Sequence, residues 1–213
     1  MEFIDEKIEE YALNHSQPES EVLKKLNRET HAKVMQPRML SGHMQGNFLA
    51  MISKMIQPMR ILEIGTYTGY SAICLAQGLQ PNGTLHTIDV NEELEKMVHS
   101  FFKEAQLENK ITYHIGNAMK IIPQLNETFD IVFIDADKKN YSNYYDLVFE
   151  KVKPGGYIIA DNVLWSGKII DLIKNKDEDT QLIDAFNKKV HADTRVEHML
   201  LPLRDGLMIV RKK

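Results

Sequence analysis

Short apolar runs and amphipathic stretches alternate along most of this chain. The apolar runs have four or five residues, the length of a short buried strand, and they occupy 60–64, 84–88, 111–115, 131–134 and 157–160. Between them, apolar residues recur at helical spacing over about 70–79, 92–105, 118–125 and 141–151. Regular alternation of this kind predicts an α/β fold with a mainly parallel, doubly wound sheet and helices on both faces.

The segment before the first strand follows a different pattern. Residues 1–35 predict two helices separated near Pro18, with Ser16 as the candidate cap of the second helix. A third helix is predicted over 45–56, and Pro58 ends it just before the first strand. We interpret this region as a lid or docking segment and not as a separate domain.

The end of the chain predicts a helical pair over about 168–190 and then two strands, 196–201 and 207–211. A hairpin of these strands, with its final strand antiparallel, would suit the edge of the sheet. The segments 81–83 and 154–156 combine Pro and Gly and are predicted as turns. No repeat or linker interrupts the pattern, so we expect a single domain over 1–213, with 1–57 as the lid and 58–213 as a cofactor-binding core.

The composition is that of an ordinary globular protein. The chain has 213 residues, 43% of them hydrophobic, and a net charge of −4. This acidic balance gives no electrostatic reason to expect a nucleic acid or an anionic membrane as partner, and no apolar run approaches the roughly 20 residues that span a bilayer. The single cysteine, Cys74, lies in an apolar run and is expected to be a buried, inert thiol. We therefore expect a cytoplasmic protein.

A glycine-bounded turn, Gly65-Thr66-Tyr67-Thr68-Gly69, joins the first strand to the helix that starts at Tyr70. Strand, glycine turn and helix together are typical of sites where backbone N–H groups meet a ligand. Asp89 follows the second strand, where its carboxylate can accept hydrogen bonds from ribose hydroxyls. After the third strand, the small residues at 116–118 would leave space for a flat base.

The spacing of the glycines narrows the choice of cofactor. A nicotinamide dinucleotide fingerprint needs G-x-G-x-x-G, whereas this turn reads G-x-x-x-G. The chain also lacks the G-x-x-x-x-G-K-[ST] pattern that cradles nucleotide phosphates. A nucleoside without a pyrophosphate fits better, which favours S-adenosylmethionine.

Acidic residues follow the fourth and fifth strands. Asp135 comes after the fourth strand and Asp161-Asn162 after the fifth. Carboxylate and amide oxygens without His or Cys match a hard divalent cation, such as Mg, Mn or Ca, although acidic residues in such loops also cap helices. Lys138 lies three residues past Asp135 and is a candidate general base. The histidines show no zinc-binding spacing.

Three motifs resemble those of the cation-dependent class I O-methyltransferases, the group of caffeoyl-CoA and catechol O-methyltransferases. The motifs are EIGTYTGYS at 63–71, FDIVFIDADKKNY at 129–141 and DNVLWSG at 161–167, within a resemblance that runs from about Met39 to Arg211. The resemblance implies a Rossmann-like fold whose seven-stranded, mostly parallel sheet ends in an antiparallel strand. It also implies a homodimer that uses the N-terminal and late helical segments.

The resemblance also assigns roles to individual positions. The cofactor contacts of the family fall on Met39, Ser41, Glu63, Gly65, Thr66, Tyr67, Ser71, Asp89, Ala118 and Asp137. The metal ligands fall on Asp135, Asp161 and Asn162, with Lys138 as the catalytic lysine. Trp165 and Ser166 match positions that line the acceptor pocket.

The chain departs from the family pattern at several positions. Gln45 replaces a glutamate of the plant enzymes, the segment after Trp165 is shorter, and the glutamate that catechol enzymes place against the second hydroxyl has no match near Met199. Arg204 stands before Asp205 where the family usually has glycine. These departures concern the acceptor more than the chemistry.

The expected function is S-adenosylmethionine- and divalent-metal-dependent methylation of one hydroxyl of a catechol-like small aromatic molecule, such as a hydroxycinnamoyl or flavonoid compound. Three alternatives stay open. The chain could be a methyltransferase of the same fold that acts on an RNA base or a protein nitrogen, or a non-catalytic protein that binds S-adenosylmethionine. The third and weakest alternative is a nicotinamide oxidoreductase.

Overall fold

A computed structural model describes residues 4–213 as an α/β unit. The helices are α1 (Glu6–Asn14), α2 (Glu21–Lys33), α3 (Gly42–Ile56), α4 (Tyr70–Ala76), α5 (Glu95–Glu104), α6 (Ala118–Ile121), α7 (Tyr141–Phe149) and α8 (Glu178–Ala192). The strands are β1 (Arg60–Ile64), β2 (Thr84–Asp89), β3 (Ile111–Ile115), β4 (Phe129–Ile134), β5 (Val152–Ala160), β6 (Val196–Leu201) and β7 (Leu207–Lys212). Across 4–213, no helix is both long enough and apolar enough to cross a membrane.

The seven strands form one sheet in the order β3-β2-β1-β4-β5-β7-β6. The first five strands pair in parallel, and β7 is antiparallel to both of its neighbours. This confirms the predicted doubly wound sheet with an antiparallel last strand. The strand order reverses between β1 and β4, and ligands of open α/β sheets bind at such a switch point, beyond the carboxyl ends of the strands.

The apolar runs are buried on both faces, as expected for parallel strands covered by helices. Alternate residues of β4 show this: Val132 and Ile134 pack with α7 and α8, whereas Ile131 and Phe133 pack with helices α2 to α5. Cys74 is buried in the second of these layers. The sheet is therefore a rigid platform between two apolar layers.

The predicted hairpin lies at the edge of the sheet, with β6 as the outermost strand and β7 between β5 and β6. The burial of the two strands explains this. In β7, Leu207, Met208 and Val210 are buried, whereas in β6 only Val196 is buried and the other residues are partly buried or exposed. The more apolar strand takes the interior position, and the strand with more polar residues is tolerated at the edge.

The turn predicted at 154–156 does not end a strand, because these residues lie within β5. Phe129 pairs with Val152 and Ile131 pairs with Tyr157, so the register between β4 and β5 shifts across this segment. Gly155, with φ of +78°, lies in the resulting bulge. The Pro-Gly-Gly signal therefore marks a bulge and not a boundary.

The cap prediction at the second helix was also wrong. Helix α2 begins after Ser20, whose hydroxyl accepts a hydrogen bond from the N–H of Leu23 at 3.4 Å. Ser16 instead donates its hydroxyl to the carbonyl of Ala12 at the end of α1. Helix α3 begins at Gly42, three residues before the predicted start.

The predicted helical pair over 168–190 is a single helix, α8, which is capped by Asp177. The segment before it contains only a 3₁₀ stretch, Trp165–Ile170. Trp165, Ser166 and Gly167 have positive φ values of 48°, 54° and 77°, which interrupt a helix. The division of the chain into a lid (1–57) and a core (58–213) stays a prediction.

Candidate active site

A cavity of about 1660 Å³ opens beyond the carboxyl ends of the parallel strands. Loops after β1 to β5 contribute Gly65, Tyr67, Asp89, Ala118, Asp135, Asp137, Lys138, Asp161 and Asn162 to its wall. Met39, Trp165 and Ser166 also line it, so the structure brings most of the predicted site residues together. Ser41, Glu63, Thr66 and Ser71 do not line the cavity, and each of them is buried.

The glycine turn after β1 is shaped by its neighbours in the sheet. Gly65 has φ of +104°, and a Cβ atom there would overlap the carbonyl oxygen of Asp135. Asp89 accepts a hydrogen bond from the N–H of Tyr67 at 2.7 Å and another from the N–H of Asn91 at 2.9 Å. Glycine is required at 65 because the ends of β1 and β4 approach closely, and Asp89 holds the turn in place.

Glu63 supports this turn from inside the protein. Its side chain is fully buried and accepts a hydrogen bond from the hydroxyl of Thr87 at 2.5 Å, and Thr87 also contacts the hydroxyl of Thr66. Burial raises the pKa of Glu63 to about 8, although the hydroxyl groups of Ser71 and Thr87 oppose the shift. Its other oxygen has no hydrogen-bond partner among residues 4–213.

Asp135 and Asp161 stand side by side because β4 and β5 are paired neighbours. Ile134 pairs with Ala160, and each aspartate follows its strand directly. Asp161 accepts hydrogen bonds from the N–H of Asn162 and from the side-chain amide of Gln45, each at 2.6 Å. Burial, and then the nearby charge of Asp135, raise the pKa of Asp161 above its usual range.

The amine of Lys138 lies among the oxygen atoms of this cluster. Its Nζ atom is 3.3 Å from Oδ1 of Asp135, 2.7 Å from Oδ1 of Asn162 and 2.6 Å from the hydroxyl of Tyr141. Tyr141 in turn donates its hydroxyl to the carbonyl of Asp161 at 2.9 Å. Only 10% of the Lys138 side chain is exposed. The sequence-predicted aspartates, amide and lysine therefore form one contact network.

Gln45 is a site residue that the sequence did not identify as such. It is fully buried on α3 and reaches Asp161, which is 116 residues away in the chain. Its Oε1 atom has no hydrogen-bond partner in the described part of the chain. A glutamine within the apolar run of α3 was the available signal, but a single amide does not reveal which distant residue it meets.

The remaining wall of the cavity is formed by residues of the loops after β4 and β5. Asp137 accepts hydrogen bonds from the hydroxyl of Tyr144 and the side-chain amide of Asn140, each at 2.6 Å. The ring of Trp165 lies 5.8 Å from the amine of Lys138. The N–H of Ser166 donates to the carboxylate of Asp205 at 2.5 Å, which fixes the loop after β5.

Residues 4–213 contain no cluster of three or more His, Cys, Asp and Glu side chains arranged to hold a metal ion. The predicted ligands are two aspartates and an asparagine, and asparagine is not one of these four residue types. The backbone at Asn162 has φ of +57°, so this residue is held in an uncommon conformation at the end of β5.

The strand order, and the glycine turn at 65–69 that Asp89 holds, are those of a Rossmann-like methyltransferase. The O-methyltransferase family model matches residues 13–213. The chain therefore belongs to the O-methyltransferase family, as the motifs predicted.

Curated relatives cover most of the chain. A probable caffeoyl-CoA O-methyltransferase 2 from Dictyostelium discoideum is 32% identical over 95% of this chain and 90% of the relative. Caffeoyl-CoA O-methyltransferase 1 from Eucalyptus globulus is 35% identical over 91% of this chain and 82% of the relative.

Solved structures agree with this assignment. An O-methyltransferase from Bacillus cereus in complex with SAH is 30% identical, covers 97% of both chains and has a TM-score of 0.90. The O-methyltransferase TomG from Streptomyces achromogenes, in complex with SAM, is 27% identical, covers 97% of this chain and 96% of its own, and also has a TM-score of 0.90.

Proposed function

We propose that this enzyme methylates one hydroxyl of a vicinal dihydroxy aromatic molecule and uses a divalent cation to do so. The observation that carries the proposal is the convergence of oxygen atoms from Asp135 and Asn162 around the amine of Lys138. Asp161 adjoins the same cluster. Acidic oxygens beside an amine are the groups needed to hold and deprotonate an aromatic diol.

We further propose that the turn after β1 holds S-adenosylmethionine. Asp89, at the end of β2, would accept the ribose hydroxyls, and the small residues at Gly116–Ala118 would receive the adenine ring. Met39 and Asp137 line the cavity on either side of this turn. Glu63, Thr66 and Ser71 would act from beneath, by keeping the turn in its conformation.

The residues present fit a hard divalent cation, Mg above all and Mn or Ca as alternatives. Asp135, Asp161 and Asn162 offer oxygen ligands, which such cations prefer. The oxygens of Asp135 and Asn162 already converge on one point, the amine of Lys138. When bound, a cation would supply Lewis-acid polarisation of the acceptor oxygens.

The chain's own residues account for the proton and the geometry of the transfer. Lys138 takes the proton of the reacting hydroxyl, whose oxygen then attacks the methyl carbon. The carbon–sulfur bond breaks, and S-adenosylhomocysteine leaves. Trp165 forms one wall against the acceptor ring, and alignment of the two reactants contributes up to roughly 7–11 kcal/mol in favourable cases.

We assign helix α1 as a lid over this cavity. Ile8 and Ala12 of α1 line its outer wall, although Ile8 is 62% exposed. Apolar side chains at this position would exclude water once an aromatic acceptor enters. The relatives named caffeoyl-CoA O-methyltransferases make a hydroxycinnamoyl thioester one acceptor to test, together with simple catechols and flavonoids.

The decisive experiment measures methyl transfer to catechols, flavonoids and hydroxycinnamoyl thioesters, with and without a chelator. We expect turnover of at least one vicinal diol, its loss in chelator and its recovery with Mg. Failure of every diol, with transfer to an RNA base or a protein nitrogen instead, would overturn the proposal.

The substitution Asp161→Ala tests the cation more directly. We expect it to abolish cation-dependent turnover and to leave the affinity for S-adenosylhomocysteine largely intact, as measured by calorimetry. Asp184→Ala is the matched control, because Asp184 pairs with Lys188 on the surface, outside the cavity. Full activity of Asp161→Ala in chelator would contradict the assignment of Asp161.

We also propose that the enzyme is a homodimer. Helix α1 exposes Tyr11 (66%) and α3 exposes Met51 (57%) and Met55 (74%), so both helices carry apolar surface that a second copy could cover. Light scattering coupled to size-exclusion chromatography tests this, and a monomer at all concentrations would contradict it.

A further inference from the structure

Arg204 has an unusual backbone conformation in the turn between β6 and β7. Its φ is +50°, in the left-handed region that favours glycine and asparagine. A residue with a long side chain is retained in this region when its surroundings hold it there. The contacts of the Arg204 side chain therefore indicate why an arginine is held in this conformation.

The guanidinium of Arg204 holds the segment before α3. Its Nη1 atom donates to the carbonyl of Leu40 at 3.1 Å and to the carbonyl of Ser41. Leu40 and Ser41 are each only 5% exposed, and they directly follow Met39 in the wall of the cavity. Arg204 thus ties the C-terminal hairpin to a segment more than 160 positions earlier in the chain.

The same turn holds the loop after β5 on its other side. The carboxylate of Asp205 accepts a hydrogen bond from the N–H of Ser166 at 2.5 Å, and its backbone carbonyl accepts one from the N–H of Leu164 at 2.9 Å. The carbonyl of Gly206 accepts a hydrogen bond from the N–H of Val163 at 3.2 Å. Two adjacent residues, Arg204 and Asp205, therefore contact opposite sides of the cavity.

We propose that Arg204 is a positioning residue that holds the Met39–Ser41 segment in the conformation that binds S-adenosylmethionine. Through Asp205, the turn at 203–206 also sets the distance between this segment and the loop that carries Trp165. The inference rests on the proposed function, which places Met39 and Ser41 at the cofactor. Arg204 also lines the cavity, but its side-chain hydrogen bonds go to backbone carbonyls, so we assign it a positioning role and not a catalytic one.

Arg204→Gly separates this role from a structural one. Glycine adopts positive φ without steric cost, so the substitution removes the side-chain contacts and preserves the turn. We expect the Kd for S-adenosylhomocysteine, measured by calorimetry without metal or acceptor, to rise about 5- to 150-fold, the range for the loss of two hydrogen bonds. The KM for S-adenosylmethionine should rise similarly, kcat should stay within about twofold, and the Tm should not fall.

Three further variants control the experiment. Gln57→Gly relieves the same φ of +50° at the end of α3, away from the cavity, and should leave the Kd unchanged. Arg204→Lys keeps the charge and part of the reach, so it should recover part of the lost affinity. A third variant, Arg204→Asn, tolerates positive φ and lacks the reach, so it should bind as weakly as Arg204→Gly.

The outcomes separate this inference from the proposed function. A wild-type protein that fails to bind S-adenosylhomocysteine would contradict the proposed cofactor site itself. Wild-type binding with an unchanged Kd in Arg204→Gly would overturn only the role of Arg204. A third outcome would also overturn the inference: Arg204→Gly and Arg204→Asn both bind more weakly and have a lower Tm, and Arg204→Lys does not recover the affinity. This would show a structural role.

Discussion

The proposed cofactor side and the proposed acceptor side of the cavity are assembled from different kinds of contact. On the cofactor side, the turn at 65–69, Asp89 and the buried Glu63 lie within or directly after neighbouring strands β1 and β2. On the acceptor side, Asp161 is held by Gln45 from α3, and Ser166 is held by Asp205 from the C-terminal hairpin. One side is built within adjacent βα units, and the other is built between distant segments.

This difference bears on how the two sides can change. The cofactor side depends on backbone positions and a close approach of two strands, and any S-adenosylmethionine enzyme of this fold needs the same geometry. The proposed acceptor side depends on side chains and on loop residues with positive φ, namely Asn162, Trp165 and Ser166. Its parts can be exchanged without disturbing the sheet, so acceptor preference can diverge while the donor stays the same.

The largest expected effect tests whether the two sides act independently. Lys138→Met removes the amine from the acceptor side, and we expect kcat to fall about 10²- to 10⁴-fold, the range for a lost general base. The Kd for S-adenosylhomocysteine should stay within about twofold of wild type. Steady-state rates with an active diol, together with calorimetry, measure both quantities.

Lys139→Met is the matched control for that substitution. Lys139 is the adjacent lysine, and its side chain is 62% exposed and pairs with Glu178 at 3.2 Å. A comparable loss of rate in both variants would mean that surface charge, and not the position of Lys138, is responsible. A large change in cofactor affinity in Lys138→Met would show that the two sides are not independent.

The next effect concerns the point where the two sides meet. Gly65→Ala places a Cβ atom against the carbonyl of Asp135 at a φ of +104°, so it strains β1 and β4 together. We expect a loss of roughly 2–5 kcal/mol in the free energy of unfolding. Urea denaturation measures this loss, and binding of S-adenosylhomocysteine should weaken with it.

Gly155→Ala isolates the conformational part of that cost. Gly155 has φ of +78°, and the nearest atom to an added Cβ is a flexible arginine nitrogen at 3.7 Å. We expect it to cost only roughly 1–2 kcal/mol. Equal losses in the two variants would mean that the approach of Gly65 to Asp135 contributes nothing.

The smallest effect concerns the buried support of the cofactor side. The pKa of Glu63 is raised to about 8, so between about pH 5 and 8 the folded protein keeps a proton that the unfolded chain releases. Stability therefore falls as the pH rises through this range. Glu63→Gln should remove part of this fall, by about 1–2 kcal/mol between pH 5.5 and 8.5.

Urea unfolding at the two pH values tests the sign of that effect. The Glu63→Gln variant should still lose some stability as the pH rises, because the pKa of Asp161 is also raised. An unchanged pH dependence in Glu63→Gln would mean that Glu63 is already ionised in the folded protein at pH 5.5.

The sequence alone determined the parts of this protein that depend on short-range pattern. The apolar runs located five parallel strands, and the glycine spacing with Asp89 distinguished S-adenosylmethionine from a dinucleotide, which the family and its SAM-bound neighbours support. Asp135 and Asp161 were also paired correctly in advance, because residues that follow neighbouring parallel strands meet at the same edge of the sheet. The periodicity of apolar residues and the order of the strands are therefore enough to predict these positions.

Only the tertiary structure decided the contacts that join distant segments. The insertion of β7 between β5 and β6, the bulge at 154–156 and the hydrogen bonds of Gln45 and Arg204 have no local signature. Each of them depends on which groups are left to be buried or satisfied once the sheet has formed, and that depends on the whole fold. Local pattern therefore predicted the turn to which we assign the cofactor, whereas packing between segments far apart in the chain shaped the proposed acceptor side and the contact of Arg204 with the Met39–Ser41 segment.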